Sequence, residues 1–163
     1  MPFRVFPKKS RSAGSASLFD TSAPPDCLTA YTDGGARGNP GPAGSGVLIQ
    51  DGHGKKLAAL SIYLGDRQTN NFAEYSGVIA ALDYALQHGH PALRIISDSL
   101  LVVNQLNGEW KVKHPDIKPL YERARQLSRQ LGFFEIKHVL RGGNKEADRL
   151  ANEAMDRRSS SVE

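Results

Sequence analysis

The 163-residue chain has a single cysteine, Cys27, and its longest uninterrupted apolar run, Val78 to Leu82, is only five residues long. One cysteine can neither close an intrachain disulfide nor build a cysteine-based zinc cluster, so the fold must be stable through its hydrophobic core, and it suits a reducing compartment. A membrane-spanning helix needs roughly 20 apolar residues. We therefore expect a cytoplasmic protein with no membrane partner.

The N-terminal segment has few periodic apolar positions and is rich in Ser, Ala and Pro. Its composition predicts a disordered basic tail over residues 1–26. The early Arg and Lys residues and the many Ser residues would also suit an organelle transit peptide, but Pro2 and Pro7 argue against the amphipathic helix of such peptides. The predicted organisation is this tail, one domain over residues 27–158 and a flexible C-terminus over residues 159–163.

Charge is distributed unevenly along the chain, although the formal net charge is only +4. Residues 27–110 carry 5 basic and 7 acidic side chains, whereas residues 111–158 carry 12 basic and 7 acidic ones. A basic surface favours a polyanionic partner. Ordinary scatter of surface charge would explain a difference of this size equally well.

Hydrophobic periodicity predicts an α/β fold. The first part of the chain alternates as strands over 28–33, 47–49 and 60–64, and the glycine-rich segment 34–46 is predicted to be a loop between the first two strands. The elements predicted after them are a helix over 71–88, a strand over 93–97, a helix over 99–106, a helix from Pro119 to Gly132, a strand over 133–140 and a C-terminal helix capped by Asn144. This order predicts a five-stranded mixed sheet, with three antiparallel strands followed by two parallel ones, flanked by helices.

The glycine-rich segment holds six of the 16 glycines. It contains no G-x-x-x-x-G-K-S/T sequence and leads into a strand rather than a helix, which excludes the usual nucleotide-binding loops. A tight loop of this kind exposes backbone N–H groups that are able to approach a phosphate backbone. A purely structural hairpin loop would need several glycines as well.

Four acidic residues lie where predicted strands end or predicted helices begin: Asp33, Glu74, Asp98 and Asp148. Each alone has an ordinary structural explanation, as a turn former, as the partner of Asn71 in a capping box, as a helix cap or as a charge favouring a helix dipole. Strand ends and helix starts on one side of an open α/β sheet nevertheless gather in a small volume. The four acids are therefore candidates for a single site.

The acids belong to four ordered sequence blocks: YTDGGARGNPGPAG at 31–44, TNNFAE at 69–74, SDS at 97–99 and NKEADRLA at 144–151. In content and order these blocks resemble the motifs of type I ribonuclease H, and the resemblance covers essentially residues 28–155. It implies a ribonuclease H-like fold. It also implies an endonuclease that hydrolyses the RNA strand of RNA/DNA hybrids and leaves 5′-phosphate and 3′-hydroxyl ends.

The resemblance implies that the four acids are both catalytic and metal-binding residues. Two Mg²⁺ ions about 4 Å apart, for which Mn²⁺ is a substitute, would stabilise the attacking and leaving oxygens. Hard cations of this kind prefer oxygen ligands, which explains carboxylates rather than His or Cys. Asp33 is expected to bridge the two ions, with Glu74 and Asp98 completing one site and Asp148 helping to hold the other.

Substrate-binding residues are implied in the same way. Selecting RNA over DNA requires contacts with 2′-hydroxyls in the minor groove of an A-like duplex. The residues implied for the RNA strand are Gly34, Gly35, Arg37, Asn39, Asn70, Asn71 and Ser99. Trp110 and Lys113 are implied for the DNA strand, as an aromatic surface and a phosphate contact. A capping role for Asn71 and a core position for Trp110 fit the sequence too.

The chain departs from the family pattern at two places. The loop before the last acid, Arg141 to Gly143, has no His, and we expect Arg141 to contact phosphate there, whereas His138 is expected to be structural. The segment 111–118, where some relatives carry a basic handle, is short. Binding should then rely on nearby basic residues, unless these only face solvent: Lys111, Lys113, Arg123, Arg125 and Arg129.

Two other functions stay open from the sequence. A nucleic-acid-binding module that does not cut would usually have lost some of the acids, and all four are present. A nuclease acting on DNA junctions or DNA ends would not need the Asn70–Asn71 pair. The expected partner is an RNA/DNA hybrid, and we expect a monomer with no obligate protein partner.

Overall fold

The computed structural model describes residues 23–163, so most of the predicted tail over 1–26 lies outside the described residues. The strands are β1 (Leu28–Ala36), β2 (Gly41–Gln50), β3 (Lys56–Gln68), β4 (Ala92–Ser97), β5 (Phe133–His138) and β6 (Ser161–Val162). The α-helices are α1 (Asn70–Gln87), α2 (Leu100–Leu106), α3 (Lys118–Ser128) and α4 (Lys145–Arg157), and a short 3₁₀ turn covers Arg141–Gly143. None of the helices in the described range combines the length and the apolar character that crossing a membrane requires.

All six strands form one mixed sheet in the order β5-β4-β1-β2-β3-β6. The first three strands make an antiparallel meander, and β4 and β5 add to it in parallel, which confirms the predicted α/β architecture. The predicted count of five strands is wrong by one. Ser161–Val162, within the segment 159–163 that was predicted to be a flexible end, pair with Leu60 and Ser61 of β3. A strand of two residues is too short to show a periodic pattern.

The segment 34–46 is mostly strand and not the predicted loop. β1 continues to Ala36 and β2 begins at Gly41, so only residues 37–40 form the turn. Three of the glycines, Gly34, Gly44 and Gly46, allow helices to approach the sheet closely. A Cβ atom on Gly46 would lie 2.0 Å from the carbonyl oxygen of Ala147 in α4, and one on Gly34 would lie 2.4 Å from the backbone of Ala73 in α1.

Helices α1 and α4 therefore pack on opposite faces of the sheet. On one face, the Ser45 hydroxyl donates to the carbonyl oxygen of Ala73 at 2.6 Å. On the other face, the Ser61 hydroxyl donates to the carbonyl oxygen of Leu150 at 2.6 Å. Both bonds are buried and join a strand to a helix backbone, so they fix the positions of α1 and α4 relative to the strands.

The main hydrophobic core lies on the α1 face, where α2 and α3 complete the layer. It includes fully buried residues from the sheet and the helices, such as Val47, Val78, Leu82, Leu93 and Ile95. Helix α4 covers the opposite face with its own apolar stripe of Ala147, Leu150, Ala151, Ala154 and Met155. The apolar positions that predicted α4 from their spacing are all buried.

The helix starts use residues other than the acids as caps. Thr69, and not Asn71, is the cap of α1, and its hydroxyl accepts the N–H of Phe72 at 3.1 Å. The hydroxyl of Ser99 accepts the N–H of Val102 at the start of α2 at 3.3 Å. Glu74 and Asp98 are thus left free of the capping roles that the sequence also allowed.

We predict that Gly46→Ala lowers the free energy of unfolding by about 2 kcal/mol or more, because the added methyl group meets the α4 backbone and cannot be accommodated without moving the helix. Urea denaturation followed by circular dichroism measures this. Gly132→Ala is the matched control, since its Cβ would be 3.5 Å from the nearest atom, the carbonyl oxygen of Pro91. Equal stabilities of the two variants would contradict the close packing of α4.

Candidate active site

Three of the four predicted acids converge at one end of the sheet. Asp33 lies in β1, Asp98 directly follows β4, and Glu74 lies in the first half of α1. Because Thr32 and Ser97 are paired in the parallel β1–β4 ladder, the residues that follow them emerge side by side. One carboxylate oxygen from each of the three acids lies within 4.8 Å of the others.

Asp148 joins this cluster from the first turn of α4. Its carboxyl group is hydrogen-bonded to that of Asp33, and both residues line the same cleft. Asn144 holds the start of α4 in place, since its Nδ2 donates to the carbonyl oxygen of Thr32 at 2.8 Å and its own carbonyl oxygen accepts the N–H of Asp148 at 3.1 Å. Asn144 was predicted to cap α4 with its side chain, but it connects α4 to β1 instead. All four acids are brought together.

Burial and the charges of neighbouring acids raise the pKa values of Asp33 and Glu74. Burial raises the pKa of Asp33 to about 8, and the charge of Asp98 and the hydrogen bond that protonated Asp33 donates to Asp148 add to the increase. The N–H of Gly34 donates to the Asp33 carboxylate at 2.9 Å and opposes it in part. Burial also raises the pKa of Glu74 to about 9, with Asp33 and Asp98 as further causes, while the positive charge of Arg141 opposes the shift.

The cluster has the properties of a site for divalent cations. Its donors are carboxylate oxygens, which Mg²⁺ and Mn²⁺ prefer over nitrogen and sulfur. Oε1 of Glu74 is buried and has no hydrogen-bond partner among residues 23–163, so it is an acceptor that the protein itself leaves unsatisfied. A bound cation would satisfy it and would compensate the negative charges that raise the pKa values of Asp33 and Glu74.

Asp33, Glu74 and Asp148 line a cleft of about 410 Å³ between the β1–β2 turn and α4, and Asp98 lies behind this lining, beside Asp33 and Glu74. Five of the residues implied in substrate binding line it: Gly34, Gly35, Arg37, Asn70 and Arg141. The other five lie outside the lining: Asn39, Asn71, Ser99, Trp110 and Lys113. Half of the residues that the resemblance implied in substrate binding therefore line the cleft beside the acids.

The side chains of Asn39 and Asn70 form hydrogen bonds within the wall of the cleft. The side-chain oxygen of Asn39 accepts the N–H of Asn70 at 3.0 Å, and the side-chain oxygen of Asn70 accepts the N–H of Ala36 at 2.8 Å. These bonds tie the β1–β2 turn to the start of α1. They also orient the Asn70 amide, because its oxygen is fixed on the turn.

Of the implied substrate-binding residues that do not line the cleft, Trp110, Lys113 and Asn71 are exposed on the surface. Trp110 is 45% exposed, so its possible core position is wrong, and Lys113 in the same segment between α2 and α3 is exposed as well. Asn71 is exposed near the start of α1. The hydroxyl of Ser99 caps α2, one residue after Asp98.

Residues of α4 that the sequence did not single out also line the cleft: Ala151, Asn152 and Met155. They lie three, four and seven positions after Asp148, which is the spacing of one helix face. The helical stripe that predicted α4 contained this signal, but the apolar members were attributed to the core alone. Asn152 contacts Arg37, as described further below.

The raised pKa values generate a prediction for the metal-free protein. An acid whose pKa is higher in the folded than in the unfolded chain stabilises the fold while protonated, and this contribution is lost as the pH rises from about 4 through the folded values near 8 and 9. In EDTA, Glu74→Gln should therefore be more stable than the unaltered chain at pH 9, by on the order of 1–3 kcal/mol, and nearly equal to it below pH 4.

Urea unfolding across this pH range measures the difference. Glu146→Gln is the control, because the hydrogen bond from Arg149 holds the pKa of Glu146 below its ordinary value, so this variant should show no gain at pH 9. A Glu74→Gln advantage that does not change with pH would contradict the buried, mutually repelling cluster.

Comparisons with known proteins agree with this site. Residues 31–154 match a family described as reverse transcriptase-like. A bifunctional protein of Mycobacterium tuberculosis is 48% identical over 124 residues, which are 76% of this chain and 34% of that protein. Ribonuclease HI of Halobacterium salinarum is 44% identical over 127 residues, which are 78% of this chain and 63% of that protein. The chain thus spans about a third of the first relative and less than two thirds of the second.

Among solved structures, LC11-RNase H1 in complex with an RNA/DNA hybrid is 38% identical, with a TM-score of 0.75 over 80% of this chain and 98% of that chain. The family match over residues 31–154 contains all four acids. The chain therefore belongs to the type I ribonuclease H family.

Proposed function

We propose that the chain is a metal-dependent endonuclease that hydrolyses the RNA strand of RNA/DNA hybrids. The observation that carries this proposal is the convergence of four carboxylates at a cleft that Arg37 and Arg141 also line. Acids gathered at this density suit cations, and a rim with arginines suits a phosphate backbone. The hybrid bound by the solved relative LC11-RNase H1 supports the choice of substrate.

The proposed cofactor is a pair of Mg²⁺ ions, with Mn²⁺ as a substitute. Asp33 would contact both, with Glu74 and Asp98 at one ion and Asp148 at the other. Bound in this way, the ions would supply positive charge at the attacking and leaving oxygens of the phosphodiester. Cleavage of the bond between phosphorus and the 3′ oxygen would leave 5′-phosphate and 3′-hydroxyl ends.

We propose that residues of the cleft wall next to the acids recognise the RNA strand. The backbone at Gly34 and Gly35 lines the cleft. A sugar can approach it closely at Gly35, where a Cβ atom would meet only the side-chain oxygen of Asn70, at 3.8 Å. The Asn70 side-chain oxygen is already used by the N–H of Ala36, which leaves its Nδ2 as the group to donate to a 2′-hydroxyl. Asn39 acts indirectly by holding the backbone of Asn70, and the exposed Asn71 would contact the same groove.

The DNA strand is proposed to lie against the segment between α2 and α3. Trp110 and Lys113 are exposed there, and they offer a flat apolar surface and a positive charge. Ser99 connects the two regions, because it follows Asp98 and caps the helix that leads to this segment. Arg125 on α3 is tied to the Tyr121 hydroxyl at 2.8 Å, so it is less available to a phosphate than Lys113.

We also propose that the chain acts as a monomer in the cytoplasm. All four acids and the whole cleft lining come from one chain, so a second copy is not required to complete the site. The single cysteine, Cys27, is free and buried, which suits a reducing compartment.

Cleavage of labelled duplexes tests the proposed function. With Mg²⁺, the chain should cut the RNA strand of an RNA/DNA hybrid and leave DNA/DNA and RNA/RNA duplexes intact, and EDTA should abolish the cutting. Cleavage of DNA duplexes at a similar rate would contradict the substrate choice. Binding of the hybrid without cleavage at any divalent metal concentration would instead identify a binding module.

Asp98→Asn should reduce hybrid cleavage by about 100-fold or more, because the variant removes a charge from the cluster that holds the cations. Affinity for a hybrid, measured by fluorescence anisotropy, should change by only a few fold, since the cleft keeps its shape. Asp83→Asn, in α1 nine residues beyond Glu74, is the matched control and should cleave normally. Retained activity in Asp98→Asn would contradict the assignment.

A further inference from the structure

Arg37 crosses from the β1–β2 turn to α4. Its Nη1 lies 2.7 Å from Oδ1 of Asp156, and its Nη2 donates to Oδ1 of Asn152 at 3.1 Å. The two partners are four residues apart, so they lie on the same face of α4, one turn from each other. The guanidinium is thus held against the helix that carries Asp148.

Asn152 connects Arg37 to the residue that carries one of the acids, Asp148. Its Nδ2 donates to the carbonyl oxygen of Asp148 at 3.0 Å, which fixes the amide so that its oxygen meets Arg37. Residues 148 and 152 are about 6 Å apart along the helix axis. This distance is of the same order as the spacing of successive phosphates in one strand, and Asp148, Asn152 and Arg37 all line the cleft.

The ion pair is readily exchanged. The side chains of Arg37 and Asp156 are 47% and 65% exposed, and pairs between exposed groups contribute little because water and salt screen them. A phosphate oxygen can accept a hydrogen bond from Nη1 as the Asp156 carboxylate does, while Nη2 stays bonded to Asn152. A phosphodiester next to the one at the acids would therefore be able to take the place of Asp156.

We propose that Arg37 is a phosphate contact for the RNA strand and that Asp156 restrains it, lowering hybrid affinity by competing with the phosphate for the guanidinium. Asn152 keeps Arg37 at the cleft while the partner changes. This inference rests on the proposed function and deepens it, since Asp156 becomes a residue that sets affinity and its dependence on salt.

The test compares Asp156→Asn with Asp66→Asn, each made in the unaltered chain and in Arg37→Ala. Asp66 is the matched control, because it forms an ion pair of 2.9 Å with Arg158 at similar exposure and its substitution changes the net charge equally. KM and kcat for hybrid cleavage are measured over a range of salt concentrations, together with anisotropy binding to a hybrid whose RNA strand is 2′-O-methylated.

Asp156→Asn should lower KM by about two- to fivefold more than Asp66→Asn at low salt, with a smaller change in kcat. Its affinity should also depend more steeply on salt, by up to about one released ion, because the phosphate contact no longer requires breaking an internal ion pair. In the Arg37→Ala background the two variants should be equal.

Equal effects of Asp156→Asn and Asp66→Asn in the unaltered chain would overturn the inference, and so would an extra effect of Asp156→Asn that persists without Arg37. Both outcomes leave the proposed function intact if the unaltered chain cleaves the hybrid. Failure of the unaltered chain to cleave it would overturn the proposed function and this inference with it.

Discussion

Mutual repulsion among four carboxylates is the constraint on which this structure depends. Asp33 and Glu74 are withdrawn from water and lie within a few ångströms of Asp98, which is why both hold their protons to unusually high pH. The acids do not attract one another into such a cluster, because each carboxylate repels the others. It has to be imposed by elements that are fixed to one another through contacts that do not involve the acids.

Those contacts are made by small and neutral residues. Gly34 and Gly46 let α1 and α4 approach the two faces of the sheet at backbone distance, and buried hydroxyls of Ser45 and Ser61 bond to the helix carbonyls there. Asn144 then connects the start of α4 to β1 one residue before Asp33. Because Thr69 and Ser99 cap α1 and α2, the carboxylates do not have to accept hydrogen bonds from the N–H groups at the starts of these helices. The cluster is therefore held by neutral partners and is left available to cations.

The order of elements and the four acids could be predicted from the sequence, because periodicity and position at element ends are local signals. The predictions failed where a residue's role depends on a distant partner. The glycines of 34–46 indicate a loop locally, but Gly44 and Gly46 permit contacts with α4, more than a hundred residues away, as between Gly46 and Ala147. In the same way Asn144 occupies the cap position of α4 but its side chain bonds to Thr32 instead of to the helix, and Arg37 pairs with Asp156. β6 was missed because two residues form no pattern.

The uneven charge of the chain follows from this arrangement. Three of the 7 acidic residues in 27–110 belong to the cluster, so the remaining 4 are fewer than the 5 basic residues of the same segment. The excess of acidic residues in 27–110 is thus due to the three acids of the cluster, and the rest of this segment carries a small excess of basic residues. Long-range attraction of a polyanion depends on the net charge of the whole surface, whereas repulsion by the cluster falls only on the phosphates that enter the cleft. Cations held by the acids would cancel that local repulsion, and the basic surface would then act on the nucleic acid without opposition.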